Sequence, residues 1–270
     1  MADNRPIGVF DSGLGGLTVT KEIIKLLPNE DIVYFGDTGR VPYGTKGPET
    51  IKKYALDDEK FLLSKDVKLI VAACGTVSSV ASDTAENLPV PFIEVISNSV
   101  LSAIKATKNK KIGVLATGAT IKSGKHKSLI LEKLPDATVI EVSGTLLVPI
   151  VEEGFIEDGN PILKEAVRIY TKKFKEENVD TIILGCTHFP LVCGAIKKEM
   201  GENVTLINMG ETAAKATKEK LEELGILNPS GGKHKFYVSD KGATFEKTAS
   251  VLLGENVDSS NVETVDINKI

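Results

Sequence analysis

A chain of 270 residues, 41% of them hydrophobic, is long enough for one large or two modest domains and apolar enough to bury a core. A net charge of -4, with no dense Lys/Arg block carrying interleaved aromatics, argues against a nucleic-acid surface. The opening Met-Ala-Asp-Asn-Arg-Pro lacks the apolar stretch of a signal peptide, no apolar run approaches the roughly 18 residues of a membrane span, and an odd number of cysteines argues against a disulfide framework. The expected setting is the reducing cytoplasm.

Ile7 to Phe10 reads as a first strand, running into Asp11-Ser12-Gly13-Leu14-Gly15-Gly16 and an amphipathic helix from Leu17 to Leu27. Asp31 to Phe35 is a second strand, ending at Gly36-Asp37-Thr38. A loop containing Pro42-Tyr43-Gly44 leads to a helix over Glu49 to Leu63. The third strand, Leu69 to Ala73, ends at Cys74-Gly75-Thr76 ahead of a helix-forming run. A fourth, Pro91 to Ile96, precedes a helix over Asn98 to Thr107. Strand and helix alternate, which implies a parallel sheet covered on both faces.

The alternation restarts near residue 110. Lys111 to Ala116 is a strand ending at Thr117-Gly118-Ala119-Thr120, and Thr138 to Val142 is another. A short helix over Thr145 to Glu153 carries Glu152 and Glu153 at its end, and Pro161 to Glu177 is a long amphipathic helix. The strand Thr181 to Leu184 breaks at Gly185, followed by Cys186-Thr187-His188 and by Pro190, where a helix would begin. A helix ending over Ile196 to Met200, a strand Val204 to Ile207 and a helix Gly210 to Glu223 follow. The tail adds strands at Lys235 to Val238 and Val262 to Ile267 around a helix over Ala243 to Leu253. The expected architecture is α/β: two similar open parallel-sheet domains related by pseudo-twofold symmetry, with the active site between them. Residues 1–97 with 208–270 form the first and 98–207 the second.

In open α/β sheets ligands bind where strands end and helices begin. Two such turns here carry a thiol, Cys74 and Cys186, each followed within two residues by Thr. Helix N-termini and a neighbouring His are expected to bring a cysteine pKa down from about 8.5. Gly13-Leu14-Gly15-Gly16 invites a dinucleotide reading, with Asp37 suitably placed, but Thr18 stands where the fingerprint needs Gly or Ala. A bare glycine turn leaves Asp11 and Ser12 unexplained; these suit the ammonium and carboxylate of a small zwitterion.

Cys74, Cys186, His188 and Cys193 could be counted as zinc ligands, but the spacing is poor and no metal site is expected. Cys193 reads as a buried structural thiol. A thiol hydrolase would pair Cys186 with His188 and leave Cys74 idle. His126 and His234 sit among lysines and read as solvated, and Glu152 could be a charged helix end or a functional carboxylate. Two thiols on a repeated frame fit one reaction best: inversion at an activated C–H, one thiolate removing the proton while the other thiol returns one to the opposite face. No feature demands a cofactor.

Asp11-Ser12-Gly13-Leu14-Gly15-Gly16-Leu17-Thr18-Val19, Pro42-Tyr43-Gly44, Ala73-Cys74-Gly75-Thr76, Gly185-Cys186-Thr187-His188-Phe189-Pro190 and Gly210-Glu211-Thr212-Ala213 together resemble the bacterial glutamate racemases, within the cofactor-independent group that also holds the aspartate racemases. Glutamate-type sequences have His in the position of His188 where aspartate-type ones tend to have Glu. The resemblance implies Cys74 and Cys186 as the acid/base pair, Asp11 assisting Cys74, and His188 with Glu152 assisting Cys186. Substrate contacts would come from Asp11, Ser12, Tyr43, Gly44, Gly75, Thr76, Thr187 and His188. The implied product is D-glutamate for peptidoglycan, and a homodimer is the candidate assembly.

The chain departs from that pattern at Gly75, where Asn is usual, at Asn208-Met209 for Asp-Ser, at Phe189 for Tyr, and at Ser97-Asn98 for Glu-Pro. Gly75 removes an amide that would meet the substrate. A binding or inhibitory role on the same scaffold is the rival function class, and the intact Cys74 and Cys186 count against it.

Overall fold

The computed structural model describes residues 2–243, 245–254 and 262–269. Its strands are short and rich in Val, Ile and Leu, as strands buried on both faces must be. They are β1 (Ile7–Asp11), β2 (Ile32–Gly36), β3 (Leu69–Ala72), β4 (Phe92–Glu94), β5 (Lys111–Ala116), β6 (Thr138–Ser143), β7 (Thr181–Gly185), β8 (Thr205–Asn208), β9 (His234–Val238) and β10 (Val262–Thr264). All pairings are parallel. One sheet has the order β10-β9-β2-β1-β3-β4 and the other β6-β5-β7-β8.

The two sheets trace one path. In each, the first strand is central, the second pairs on one side, and the third and fourth follow on the other. Ile7 stands level with both Ile32 and Leu69, as Ile112 stands level with Val139 and Thr181. By this correspondence β3 and β7 are equivalent strands, and each delivers a cysteine from its carboxyl end. The tail strands β9 and β10 extend the first sheet beyond β2.

Helices α1 (Leu17–Leu26), α2 (Pro48–Ser64), α3 (Gly75–Val80) and α4 (Val95–Ala106) follow the first four strands. α5 (Gly118–Ser123), α6 (Lys125–Lys133), α7 (Leu147–Glu152), α8 (Pro161–Glu176) and α9 (Cys193–Met200) serve the second sheet, and α10 (Met209–Leu224) and α11 (Phe245–Leu253) flank β9. α10 packs on α1 and α4, so one apolar core runs from Val9 and Val71 in one sheet to Val114 and Ile183 in the other.

Four readings change. The last strand, expected from Val262 to Ile267, stops at Thr264, and Ile267 opens a 3₁₀ turn. The fourth strand stops at Glu94 because that carboxylate accepts from the N–H groups of Ile96 and Ser97 and caps α4 from Val95. α5 and α6, separated by Gly124 at φ +65, occupy a stretch that carried no assigned helix. After β7 the chain makes a 3₁₀ turn over Phe189–Val192 before α9. Thr244, inside the helix expected from Ala243, lies outside the described residues. No helix among the described residues is long and apolar enough to cross a membrane.

Candidate active site

The loops that follow β1, β2, β3, β5, β6, β7 and β9 open on one cavity of about 790 Å³. Every residue that the sequence singled out for the site lines it: Asp11, Ser12, Tyr43, Gly44, Cys74, Gly75, Thr76, Glu152, Cys186, Thr187 and His188.

Cys74 stands just before α3, a buried thiol whose Sγ donates to Ser12 Oγ at 3.4 Å. The expectation of a lowered pKa fails here. Burial, and then the charge of Asp11, push the thiol up to about 12, against bonds from Ser12 and from the Val77 N–H. The dry site outweighs one turn of helix. Asp11, only 2% exposed, accepts from the Gly13 N–H at 3.0 Å. Burial raises its carboxyl, opposed by the nearby His188 and by N–H groups of Gly16 and Gly13.

Cys186 follows β7 directly. Its Sγ lies 3.7 Å from His188 Nδ1, and His188 Nε2 lies 3.0 Å from Glu152 Oε1 at the end of α7. Thiol, imidazole and carboxylate form one chain. Burial opposes the imidazolium, but bonds to Cys186 and Glu152 win and lift His188 to about 10. The sequence left Glu152 between two readings; the geometry gives it a partner.

The glycine turn after β1 is a joint. A Cβ on Gly15 would lie 2.2 Å from Thr187 Oγ1 and 2.7 Å from His188 Cε1, so only glycine lets the loop press on that imidazole. Thr18 Oγ1 donates to Thr187 O at 2.7 Å. These contacts give the glycines a use other than a pyrophosphate cradle.

Three side chains lie where the sequence did not put them. His234 is half-buried in β9, with Nδ1 enclosed rather than solvated. Cys193 is exposed rather than buried, because it opens α9 instead of sitting within it. His126 is 1% exposed rather than solvated, on the buried face of α6. The cavity also has a wall that sequence reasoning missed: Thr117, Thr120 and Thr145 from the second sheet, and Phe245 and Thr248 from the tail. Thr117 Oγ1 lies 3.4 Å from Thr76 Oγ1 and 3.0 Å from Thr120 Oγ1, linking the two halves. Thr117 directly follows β5, the strand equivalent to β1, as Ser12 follows β1, so the strand-end rule that found Ser12 would have found it too. Among the described residues, no three His, Cys, Asp or Glu side chains group as metal ligands would.

Two α/β halves of one strand order, each placing a thiol in a shared cavity, define the class, and comparison with known proteins agrees. A sequence model of the Asp/Glu/Hydantoin racemase family matches residues 7–217, and the chain belongs to that family of isomerases. Within it the chain falls among the glutamate racemases. It is 41% identical over 253 residues to the glutamate racemase of Geobacter metallireducens, covering 93% of each chain. The crystal structure of glutamate racemase from Francisella tularensis in complex with D-glutamate superimposes with a TM-score of 0.91 at 38% identity, over 99% of this chain and 100% of that one. That of Thermus thermophilus, in complex with β-chloro-D-alanine, gives 0.89 at 37%, over all of both chains.

Proposed function

We propose that the protein interconverts L- and D-glutamate without a cofactor, Cys74 and Cys186 acting as the two acid/base groups. The observation that carries this reading is the pair of thiols at the ends of equivalent strands, both facing one cavity. Glutamate is the substrate because His188 completes the glutamate-type motif and because relatives at about 40% identity bear that name.

The two thiols have different neighbours: Ser12 beside Cys74 and His188 beside Cys186. Cys74 holds its proton in the free protein, with its pKa at about 12. A substrate ammonium beside Cys74 would favour its thiolate and bring the thiol toward working range. Asp11 is placed to take the proton that Cys74 must lose before acting as base. On the other side His188, protonated at neutral pH, faces the Cys186 sulfur and is itself held by Glu152. For one enantiomer Cys186 removes the Cα proton while Cys74 gives one to the opposite face; for the other the roles reverse. The two carboxylates of glutamate would be met by hydroxyls of Ser12, Thr76 and Thr187 and by backbone at Gly44 and Gly75, all of which line the cavity.

We further assign residues 1–97 with 208–270 to one domain and 98–207 to the other, the division that keeps each sheet together to within one residue of β8. D-glutamate for peptidoglycan, made in the cytoplasm where thiols stay reduced, is the role that follows. Incubating the purified protein with L-glutamate or L-aspartate, without added cofactor, and resolving the enantiomers tests the reading. Glutamate turnover well above aspartate is expected. Aspartate turned over equally well or better overturns it.

A further inference from the structure

Tyr43 lines the cavity, yet its hydroxyl is turned away from it. That hydroxyl bonds to the carboxylate of Asp37 and to Asp58 Oδ2, the latter at 3.1 Å. Arg40 joins the same carboxylates: Nε to Asp37 at 2.5 Å, Nη2 to Asp58 at 2.9 Å, and Nη1 to Asp57 at 2.8 Å. The guanidinium lies 4.1 Å over the ring of Tyr54, and that ring packs 5.3 Å from the ring of Tyr43. Asp37 and Asp58 are both fully buried.

The cluster holds a second loop as well. Asp37 accepts from Ser239 Oγ at 2.8 Å, Ser239 Oγ accepts from the Gly39 N–H at 2.7 Å, and Thr38 Oγ1 bonds to both the carbonyl and the N–H of Asp240. Residues 41–45 and Asp240 border the cavity. Burying carboxylates around one guanidinium is costly unless every partner is in place. Apolar residues of similar size would hold a merely structural corner as well. This corner, unlike such a filler, fixes the direction of a ring and a stretch of backbone at the cavity wall.

We propose that Arg40, clamped by Asp37 and Asp58, is a positioning residue for glutamate binding: it sets the Tyr43 ring and the 42–45 backbone that form one wall of the cavity, and touches neither the substrate nor the thiols. Asp37, which sequence reasoning could place only in a dinucleotide site, has its use here. The inference rests on the glutamate assignment. Failure of that assignment would show in the unaltered protein, as no glutamate racemisation.

The test is a double-substitution cycle read in KM and kcat. Arg40→Leu is expected to raise KM for glutamate about tenfold with kcat within about threefold, the signature of lost binding rather than lost chemistry. Arg40→Lys, which keeps the charge but not the fork, should fall between. Because Arg40 acts through Tyr43, adding Arg40→Leu to Tyr43→Phe should cost less than it does alone. A KM unchanged by Arg40→Leu, a fall in kcat with KM unchanged, or effects that multiply in the double variant would each overturn the proposal. If Arg40→Leu does not fold, Arg40→Lys and Tyr43→Phe decide: KM raised in both supports the role, and KM unmoved in either refutes it.

Discussion

The backbone of Gly75 lies against the carbonyl oxygen of Gly185: a Cβ built on Gly75 would stand 2.8 Å from it, and 3.5 Å from Met209 Cε. Each glycine adjoins a cysteine, so the two thiol-bearing loops meet backbone to backbone. The asparagine that the family resemblance leads one to expect at position 75 has no room unless the loops part. Met209, 1% exposed, occupies the adjoining space.

Gly75→Asn should therefore impair this chain rather than restore a substrate contact. We expect a loss of stability of about 1–3 kcal/mol, the usual cost of overpacking, and kcat/KM down at least about tenfold, since a shift of about 1 Å can cost more than that. Met209→Ser in the same chain should recover part of both. Thermal unfolding and steady-state rates check this. A Gly75→Asn protein as stable and as active as its parent would mean that the loops separate freely.

A second prediction concerns pH. His188 owes its elevated pKa of about 10 to Cys186 and Glu152, against burial. Glu152→Gln removes one of the raising partners, so the pKa must fall. If the imidazolium is the working form, the alkaline limb of kcat/KM should move to lower pH in Glu152→Gln, with the limb of the parent near 10. An alkaline limb at the same pH in both proteins would detach Glu152 from the chemistry.

His126 supplies a stability counterpart. Both of its ring nitrogens are buried without a hydrogen-bond partner, and burial lowers its pKa from 6.5 to about 4. A depressed histidine favours the fold above its unfolded pKa, and that advantage drains as pH falls from 6.5 toward 4. At about 1.4 kcal/mol per pH unit the loss is about 3 kcal/mol. His126→Leu, which has no proton to take up, should retain more of its neutral-pH stability at pH near 4.5 than the parent does. Denaturant unfolding at two pH values measures the difference, and equal acid losses would remove His126 from the account.

How far the sequence could be read depends on what signalled each feature. β3 and β7 were plain because a β-branched run broken by glycine and small polar residues has few other meanings. The cavity residues on those strand ends followed. α5 and α6 were not assigned, since α6 is short and lysine-rich and buries only His126 and Ile130. That pair, four residues apart, is nevertheless a helical face, and it turns Lys127 outward while His126 goes in. The flanking lysines misled where the spacing would not have. Nothing in one sequence shows two backbones in contact, so the tightness at Gly75 and the use of Gly15 against His188 needed coordinates. Nor does a sequence show how dry a helix end is, and dryness is what raises the pKa of Cys74.

The last prediction tests the two-thiol mechanism. If Cys74 and Cys186 address opposite faces of Cα, one takes the proton of each enantiomer and the other delivers a different one. The delivering thiol has exchanged with solvent beforehand. Early in a reaction run in D₂O, the product should carry deuterium at Cα while unreacted substrate remains largely protiated. A single base serving both faces would return its own proton at times, leaving protium in the product or deuterium in the substrate. Cys74→Ser and Cys186→Ser keep the shape but lift the side-chain pKa far above working pH, and each should cut racemisation by at least about 10²-fold, the low end of what a placed acid or base contributes. Cys193→Ser should cost little, since that thiol is exposed at the start of α9 and does not border the cavity. An inactive Cys193→Ser beside an active Cys74→Ser would sink the mechanism, whatever the label shows.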